Sequence, residues 1–157
     1  MQSDEEAVNW YRKAAGQGHV EAQLLLENIF SEGRGVALDH EEAAKWWQKA
    51  AEQGLVHAQH NLGLYIWTSC VMAHSDVKAA QWFKKAADEG FSPAQCTLGF
   101  MFEQGHGVAQ NYSEALALYR KAADQEDAGA HCKLGHFLSM VSPSRRHSKR
   151  HGSSALV

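Results

Sequence analysis

Residues Asp39–Gly54 read DHEEAAKWWQKAAEQG, a complete helix with its start, its apolar face and its end written in the residues. Ala43, Trp46, Trp47 and Ala50 fall at i, i+3, i+4 and i+7, which is one stripe of an amphipathic helix. Asp39 is a favoured N-cap, and Glu42 stands three residues later at capping-box spacing. Gly54 marks the end, where a left-handed residue after the last turn costs glycine nothing. Small alanines beside large indoles let a neighbouring helix interlock closely.

The same pattern recurs in both directions at a constant step of 36 residues. Ala14-Ala15, Ala50-Ala51, Ala86-Ala87 and Ala122-Ala123 keep one phase, and Lys13, Lys49, Lys85 and Lys121 precede them. Trp10, Trp46, Trp82 and Leu118 share a second phase, and Ala7, Ala43, Ala79 and Ala115 a third. A separate block repeats as Ala22, Ala58, Ala94 and Ala130 with Leu26, Leu62, Leu98 and Leu134. Each unit therefore holds two helices. Helix A is expected over about 20–32, 56–68, 92–104 and 128–140, and helix B over about 4–15, 40–53, 76–89 and 112–124. Ser3, Asp39, Ser75 and Asn111 are the expected N-caps of the B helices. Gly18, Gly54 and Gly90 end three of them, and Glu126 stands at that place in the fourth. A Gly-x-Gly-Val turn follows two A helices, at Gly33–Val36 and Gly105–Val108. The middle copy has Ser69-Cys70-Val71-Met72 instead, so its loop is expected to differ or helix A to run on through it.

A unit of this length cannot bury its apolar face alone; stacked units bury it against each other. The expectation is an all-α fold, a right-handed superhelical solenoid with helix order B, then A-B three times, then A. The solenoid is placed at 1–141, with a partial repeat at 1–18, full repeats at about 19–54, 55–90 and 91–126, and a partial repeat at 127–141. Residues 142–157 are read as a basic, disordered tail, in which Arg145–Ser148 resembles a basophilic kinase site.

Composition narrows the function. The chain has 157 residues, 45% hydrophobic, which suffices for a packed core. The net charge is −3, but Arg145, Arg146, Lys149 and Arg150 lie in the tail, which leaves 11 basic against 18 acidic groups, or −7, on residues 1–141. An acidic body excludes a whole-protein electrostatic grip on nucleic acid. No apolar run approaches membrane-spanning length. Three cysteines make no disulfide framework and suit a reducing compartment. No signal peptide follows Met1, which assigns the chain to the cytoplasm.

At these residues the sequence resembles the Sel1-like repeat family, a relative of the tetratricopeptide repeats. The resemblance covers residues 3–141 and is carried best by Ala94–Val108 with Asn111–Ala123, and by Ala22–Val36 with Asp39–Gly54. Two departures stand out. Glu27 replaces the glycine found at Gly63, Gly99 and Gly135, which threatens close A–B packing there. Phe30, Ile66, Phe102 and Leu138 occupy the family's tyrosine position. The resemblance implies a non-enzymatic scaffold that binds a protein or peptide, in a family whose members are often exported. Some members are cysteine-rich, with a disulfide inside each repeat and activity on β-lactams. That subclass does not carry over, because Ala51, Ala87 and Ala123 stand where one cysteine of each pair would be.

In stacked helical repeats the A helices line the concave side. Their core stripe packs inward, so the opposite stripe is the candidate groove. Asn28, Leu64, Phe100 and His136 share one phase of it; His60, Cys96 and Cys132 share another; Trp67 and Glu103 share a third. Leu64, Trp67 and Phe100 are apolar groups on a surface expected to be wet, and aromatics are common binding anchors. The alternative is that curvature buries them between A helices.

His60, Cys96 and Cys132 could be read as metal ligands, but equivalent positions on neighbouring repeats lie about 8–10 Å or more apart, too far to share one zinc or a disulfide. The reading therefore assigns no metal and no cofactor. No nucleophile–base motif or phosphate loop occurs. Two further readings stand beside the scaffold: a hydrolase using His60 and Cys96, and a structural module joining end-to-end through packing faces around Trp10 and Ala130–Phe137.

Overall fold

The computed structural model describes residues 2–33, 36–69 and 75–141 of the chain. Among these lie eight α-helices: α1 (Gln2–Gly16), α2 (Val20–Glu32), α3 (His40–Glu52), α4 (Val56–Thr68), α5 (Ser75–Asp88), α6 (Ser92–Gln104), α7 (Tyr112–Ala123) and α8 (Ala128–Val141). Odd-numbered helices are the B helices and even-numbered ones the A helices. Each helix packs on its chain neighbours, and α6 also touches α8. The result is an α/α solenoid. Apolar burial is distributed along it: one cluster gathers Leu26, Phe30, Trp46, Trp47 and Leu62, a second Phe83, Leu98 and Met101, and a third Tyr119 and Phe137.

The caps follow the sequence in two B helices. Asp39 accepts from Glu42 N at 2.9 Å, and Asn111 accepts from Ser113 N at 3.0 Å and Glu114 N at 3.2 Å. Each such cap is worth about 1 kcal/mol. The other two differ from expectation: α1 already includes Ser3, and Ser75 is the first residue of α5 itself. At the far ends Gly18, Gly54 and Gly90 have φ of 89°, 91° and 88°. Glu126 takes φ 60° in the fourth copy, so the repeat imposes the left-handed turn even on a residue with a Cβ. Helix α4 stops at Thr68, with Ser69 in extended backbone, so it does not run on through Ser69; the rest of the expected variant loop lies outside the described residues.

A device absent from the sequence reading joins three of the four B helices, α1, α3 and α5, to the next A helix. The amides of Gln23, Gln59 and Gln95 donate to the carbonyls of Ala15, Ala51 and Ala87 at 3.1, 3.4 and 3.2 Å. These three glutamines are buried and stand 36 residues apart. These carbonyls at the helix ends already accept the N–H of Gly18, Gly54 and Gly90, and the amide from the following helix occupies their second lone pair. Two glutamines receive a second bond in turn: Gln53 Nε2 donates to Gln23 Oε1 at 3.3 Å, and Gln125 Nε2 to Gln95 Oε1 at 3.0 Å. Glu89 occupies that phase in the middle copy and has no amide to donate, and Gln59 Oε1 is buried without a partner.

The A–B contact is closest where the A helix has glycine. A Cβ on Gly63 would lie 2.8 Å from the ring of Phe83, and one on Gly99 2.9 Å from the ring of Tyr119. Glu27 at the same phase does not separate α2 from α3, which still pack together; its side chain is buried instead. On the B helices, Lys13, Lys49 and Lys85 each place Nζ over the indole of Trp10, Trp46 and Trp82, at 4.2, 4.5 and 4.1 Å from the ring centroid. At the first helix Trp10 is 61% exposed. At the last, the expected open face is corrected: Ala130 and Phe137 are buried, Phe137 against Tyr119, and the exposed apolar groups are Leu138, Met140 and Val141.

Candidate functional site

The A-helix residues singled out from sequence fall into four settings. Leu64, Trp67 and Phe100 form the first. All three are half-buried: they pack at the edge of the central cluster or beside it and keep part of their surface open. The Trp67 ring meets the edge of Phe83 at 6.1 Å between centroids and lies 6.2 Å from Phe100. His106, from the turn after α6, joins both at 6.2 Å. Lys133 of α8 sets its ammonium 4.7 Å from the Phe100 centroid, a cation–π contact of about 0.5–1 kcal/mol at an exposed site. So α4, α6 and α8 together present an aromatic patch with a cation at its border. Neither His106 nor Lys133 was legible as part of it, because each meets the patch across the stack and outside the phases used to find it.

His60 forms the second setting. Its ring lies 5.5 Å from Phe83 and 5.4 Å from Phe91, and Phe91 also receives His57 at 4.6 Å. His60 Nε2 is buried with no partner. Burial lowers its pKa below the usual histidine value, with His57 reinforcing the shift and Asn61 opposing it. A neutral imidazole packed between phenyl rings acts here as an aromatic spacer.

Cys96, Asn28 and His136 make the third. Asn28 and His136 are exposed, as a groove residue must be. Cys96 is half-buried, and burial pushes its thiol up to about 11, with Asp127 adding to the shift and Lys133 opposing it. Such a group stays protonated near neutrality and is a poor nucleophile. No hydrogen bond joins it to His60 among the described residues. Cys132, at the same phase as Cys96, is an exposed free thiol.

Glu103 is the fourth, and its placement in the groove is corrected. It is 6% exposed and accepts from Tyr119 Oη at 2.7 Å and from Gln104 Nε2 at 3.3 Å. The carboxylate turns inward because Tyr119, the ring over Gly99, carries a hydroxyl that needs an acceptor. Burial and this bond push the Tyr119 phenol far above its usual range.

A further site was not found from sequence. A cleft of about 540 Å³ opens between α2 and α4, over the first turns of α3. Glu27, Asn28, Ser31, Trp47, Asn61, Leu64 and Tyr65 line it, with His40 and Thr68 also among its walls. Glu27 Oε1 accepts from Asn61 Nδ2 at 2.6 Å, while Glu27 Oε2 and Trp47 Nε1 are buried without partners. Trp47 lies 6.0 Å from Tyr65, centroid to centroid. The signal was present, since Glu27 breaks the glycine phase, but on sequence it reads as a packing defect.

The Sel1 repeat pattern matches at residues 1–19, 21–55, 56–91 and 92–127. No curated protein matches. Among solved structures, c5321, a protective antigen of uropathogenic Escherichia coli displaying an SLR fold, is 34% identical with a TM-score of 0.78. The likeness covers 85% of this chain and 29% of that one, so the chain spans less than a third of that relative. A Sel1 repeat protein from Oxalobacter formigenes is 33% identical with a TM-score of 0.70, covering 80% of this chain and 95% of its own. The immunity protein Pa5087 from Pseudomonas aeruginosa is 28% identical with a TM-score of 0.58, covering 85% and 50%.

Proposed function

The chain belongs to the Sel1-repeat family, and from that premise we propose that it is a non-enzymatic scaffold holding an extended peptide or protein segment along its A-helix face. Sel1-repeat proteins generally mediate protein–protein interactions. The observation that carries the reading for this chain is the patch of Leu64, Trp67, Phe100, His106 and Lys133. Three helices contribute to it, so a ligand lying across the stack meets apolar surface, two aromatic faces and a cation in sequence. Half-buried aromatics set by packing on one side and open on the other are suited to anchor a ligand, because little rotamer freedom is lost on binding. Asn28 and His136 extend the same face as polar groups, one on α2 and one on α8.

The test selects peptides from a displayed random library on the immobilised protein and remeasures each against Trp67→Ala and Phe100→Ala. The reading expects at least a tenfold loss of affinity in both variants, at denaturation midpoints that still leave them folded at assay temperature. Affinity unchanged in both variants would place the ligand elsewhere. Stability lost without any effect on the affinity of the folded fraction would make the patch a packing feature only.

A further inference from the structure

The cleft between α2 and α4 holds a departure from the repeat that packing does not require. Gly63 and Gly99 let Phe83 and Tyr119 lie directly on the A helix. At the matching places the first full repeat has Glu27, a carboxylate where the others have no side chain, and Trp47, whose indole N–H stands where Phe83 has no polar atom and where Tyr119 has a hydroxyl already given to Glu103. Glu27 is 7% exposed and Trp47 8%. A buried carboxylate is costly unless paired and hydrogen-bonded. The chain shows what satisfaction looks like: Glu103 receives the Tyr119 hydroxyl and the Gln104 amide, one oxygen each. Glu27 receives only the Asn61 amide, on one oxygen, and its other oxygen and the Trp47 indole N–H are both unused.

Trp46 Nε1, Gln59 Oε1 and His60 Nε2 are buried and unpaired as well, but of these five atoms only Glu27 Oε2 and Trp47 Nε1 belong to residues that line one open cleft, where a ligand could reach them. The cleft has the volume for a long side chain with a short run of backbone. Its walls offer one carboxylate needing a donor, one N–H needing an acceptor, the rings of Trp47 and Tyr65, and the polar ends of Asn28 and Ser31. The terminal torsion of a glutamate is broad, so an entering donor can draw the carboxylate toward it. Residues 1–141 carry a net −7, which favours a cationic ligand.

We propose that this cleft is a specificity pocket for a basic side chain, arginine or lysine, of the peptide held on the A-helix face. The guanidinium or ammonium donates to the Glu27 carboxylate, and Trp47 Nε1 donates to a carbonyl of the ligand backbone. The aromatic walls flank the aliphatic stem. This deepens the scaffold reading and rests on it, since it assigns the residue class that one repeat selects.

The experiment titrates protein labelled with 15N at its tryptophan indoles, the Trp47 resonance being assigned by its disappearance in Trp47→Phe. The probe is a blocked pentapeptide, acetyl-Ala-Ala-Arg-Ala-Ala-amide, beside its lysine and citrulline counterparts and free agmatine. The expected result is a saturable shift of the Trp47 resonance with the arginine or lysine peptide, at least tenfold weaker with neutral citrulline. Glu27→Gln and Glu27→Gly should both abolish the preference. The glycine variant restores the residue of the other repeats, so it keeps the fold if the glutamine variant does not. Equal response to the arginine and citrulline peptides, an unchanged preference in both variants, or no shift at millimolar peptide would overturn the pocket. Agmatine binding as tightly as the peptide would overturn the peptide assignment. For peptides selected from the library, loss on Trp67→Ala with no effect of Glu27→Gln sinks the pocket and leaves the scaffold reading standing; no effect of either sinks both.

Discussion

Gln59 offers a test in which one atom changes the bonding of the stack. In the flanking repeats the buried glutamine gives its amide to the preceding helix and receives an amide on its oxygen, from Gln53 at 3.3 Å and Gln125 at 3.0 Å. The corresponding residue in the middle repeat is Glu89, and Gln59 Oε1 is buried and unpartnered. Glu89→Gln supplies the missing donor on the same stem length. A net intramolecular hydrogen bond is worth about 1 kcal/mol, and relief of a buried orphan acceptor raises that toward about 2 kcal/mol. For a chain of this size 1 kcal/mol corresponds to about 3 °C in Tm. Removing a carboxylate just past the end of α5 also helps through the helix dipole, so Glu89→Ala is needed as the charge control. Urea unfolding of wild type, Glu89→Gln and Glu89→Ala, each repeated in a Gln59→Leu background, forms a double-mutant cycle. The expected outcome is that Glu89→Gln exceeds Glu89→Ala by about 1 kcal/mol and that the excess vanishes with Gln59→Leu. Equal stability of the two variants, or an excess that survives in Gln59→Leu, would mean that no bond forms between residue 89 and Gln59.

Other outcomes follow from the same structure. Gly63→Ala and Gly99→Ala press a methyl against Phe83 and Tyr119 and should each destabilise by about 1–3 kcal/mol, whereas Gly135→Ala, with nothing within 4 Å of the added Cβ, should stabilise by about 0.5–1 kcal/mol; thermal melts decide both. Cys96 should react with iodoacetamide at pH 7.5 at least tenfold more slowly than exposed Cys132, by mass spectrometry of the digested protein; equal rates would contradict a buried thiol pushed up to about 11. His60 has a folded pKa lowered below its unfolded value, so its contribution to stability is present above about pH 6.5 and is lost as pH falls below it. His60→Phe should flatten the change in urea midpoint between pH 7.5 and 5.5; an unchanged slope would show that other groups set it.

The fold was legible because one period runs through the chain. Alanines and leucines at fixed phase set the helix faces, and Asp39, Asn111 and three glycines set the boundaries, so local chemistry and stacking agree. What the phase comparison missed depends on partners across the stack. The buried glutamines are polar residues on a core face, and only the structure shows Ala15, Ala51 and Ala87 accepting from them. Glu103 looked open because its phase mate Trp67 belongs to the stripe opposite the core, yet the Tyr119 hydroxyl draws it inward. Phe137 looked exposed at the last helix, yet Tyr119 covers it and Tyr112 lies 5.9 Å from it. The aromatic patch was half legible: Trp67 and Phe100 share a helix face in sequence, whereas Lys133 and His106 reach them from another helix and a turn. Glu27 shows the limit most clearly, since a break in a repeat marks the place without saying whether it holds a defect or a pocket.

If the A-helix face is where this scaffold meets its ligand, binding leaves its trace on the even-numbered helices. The most direct measurement is a backbone 15N–1H titration of the assigned protein with the tightest peptide recovered from the displayed library. The expected shifts concentrate on α2, α4, α6 and α8, strongest around Leu64, Trp67, Phe100 and Lys133, with the Lys–Trp pairs of α1, α3 and α5 unmoved. Shifts concentrated on α1, α3, α5 and α7, with Trp67 and Phe100 unaffected, would contradict it.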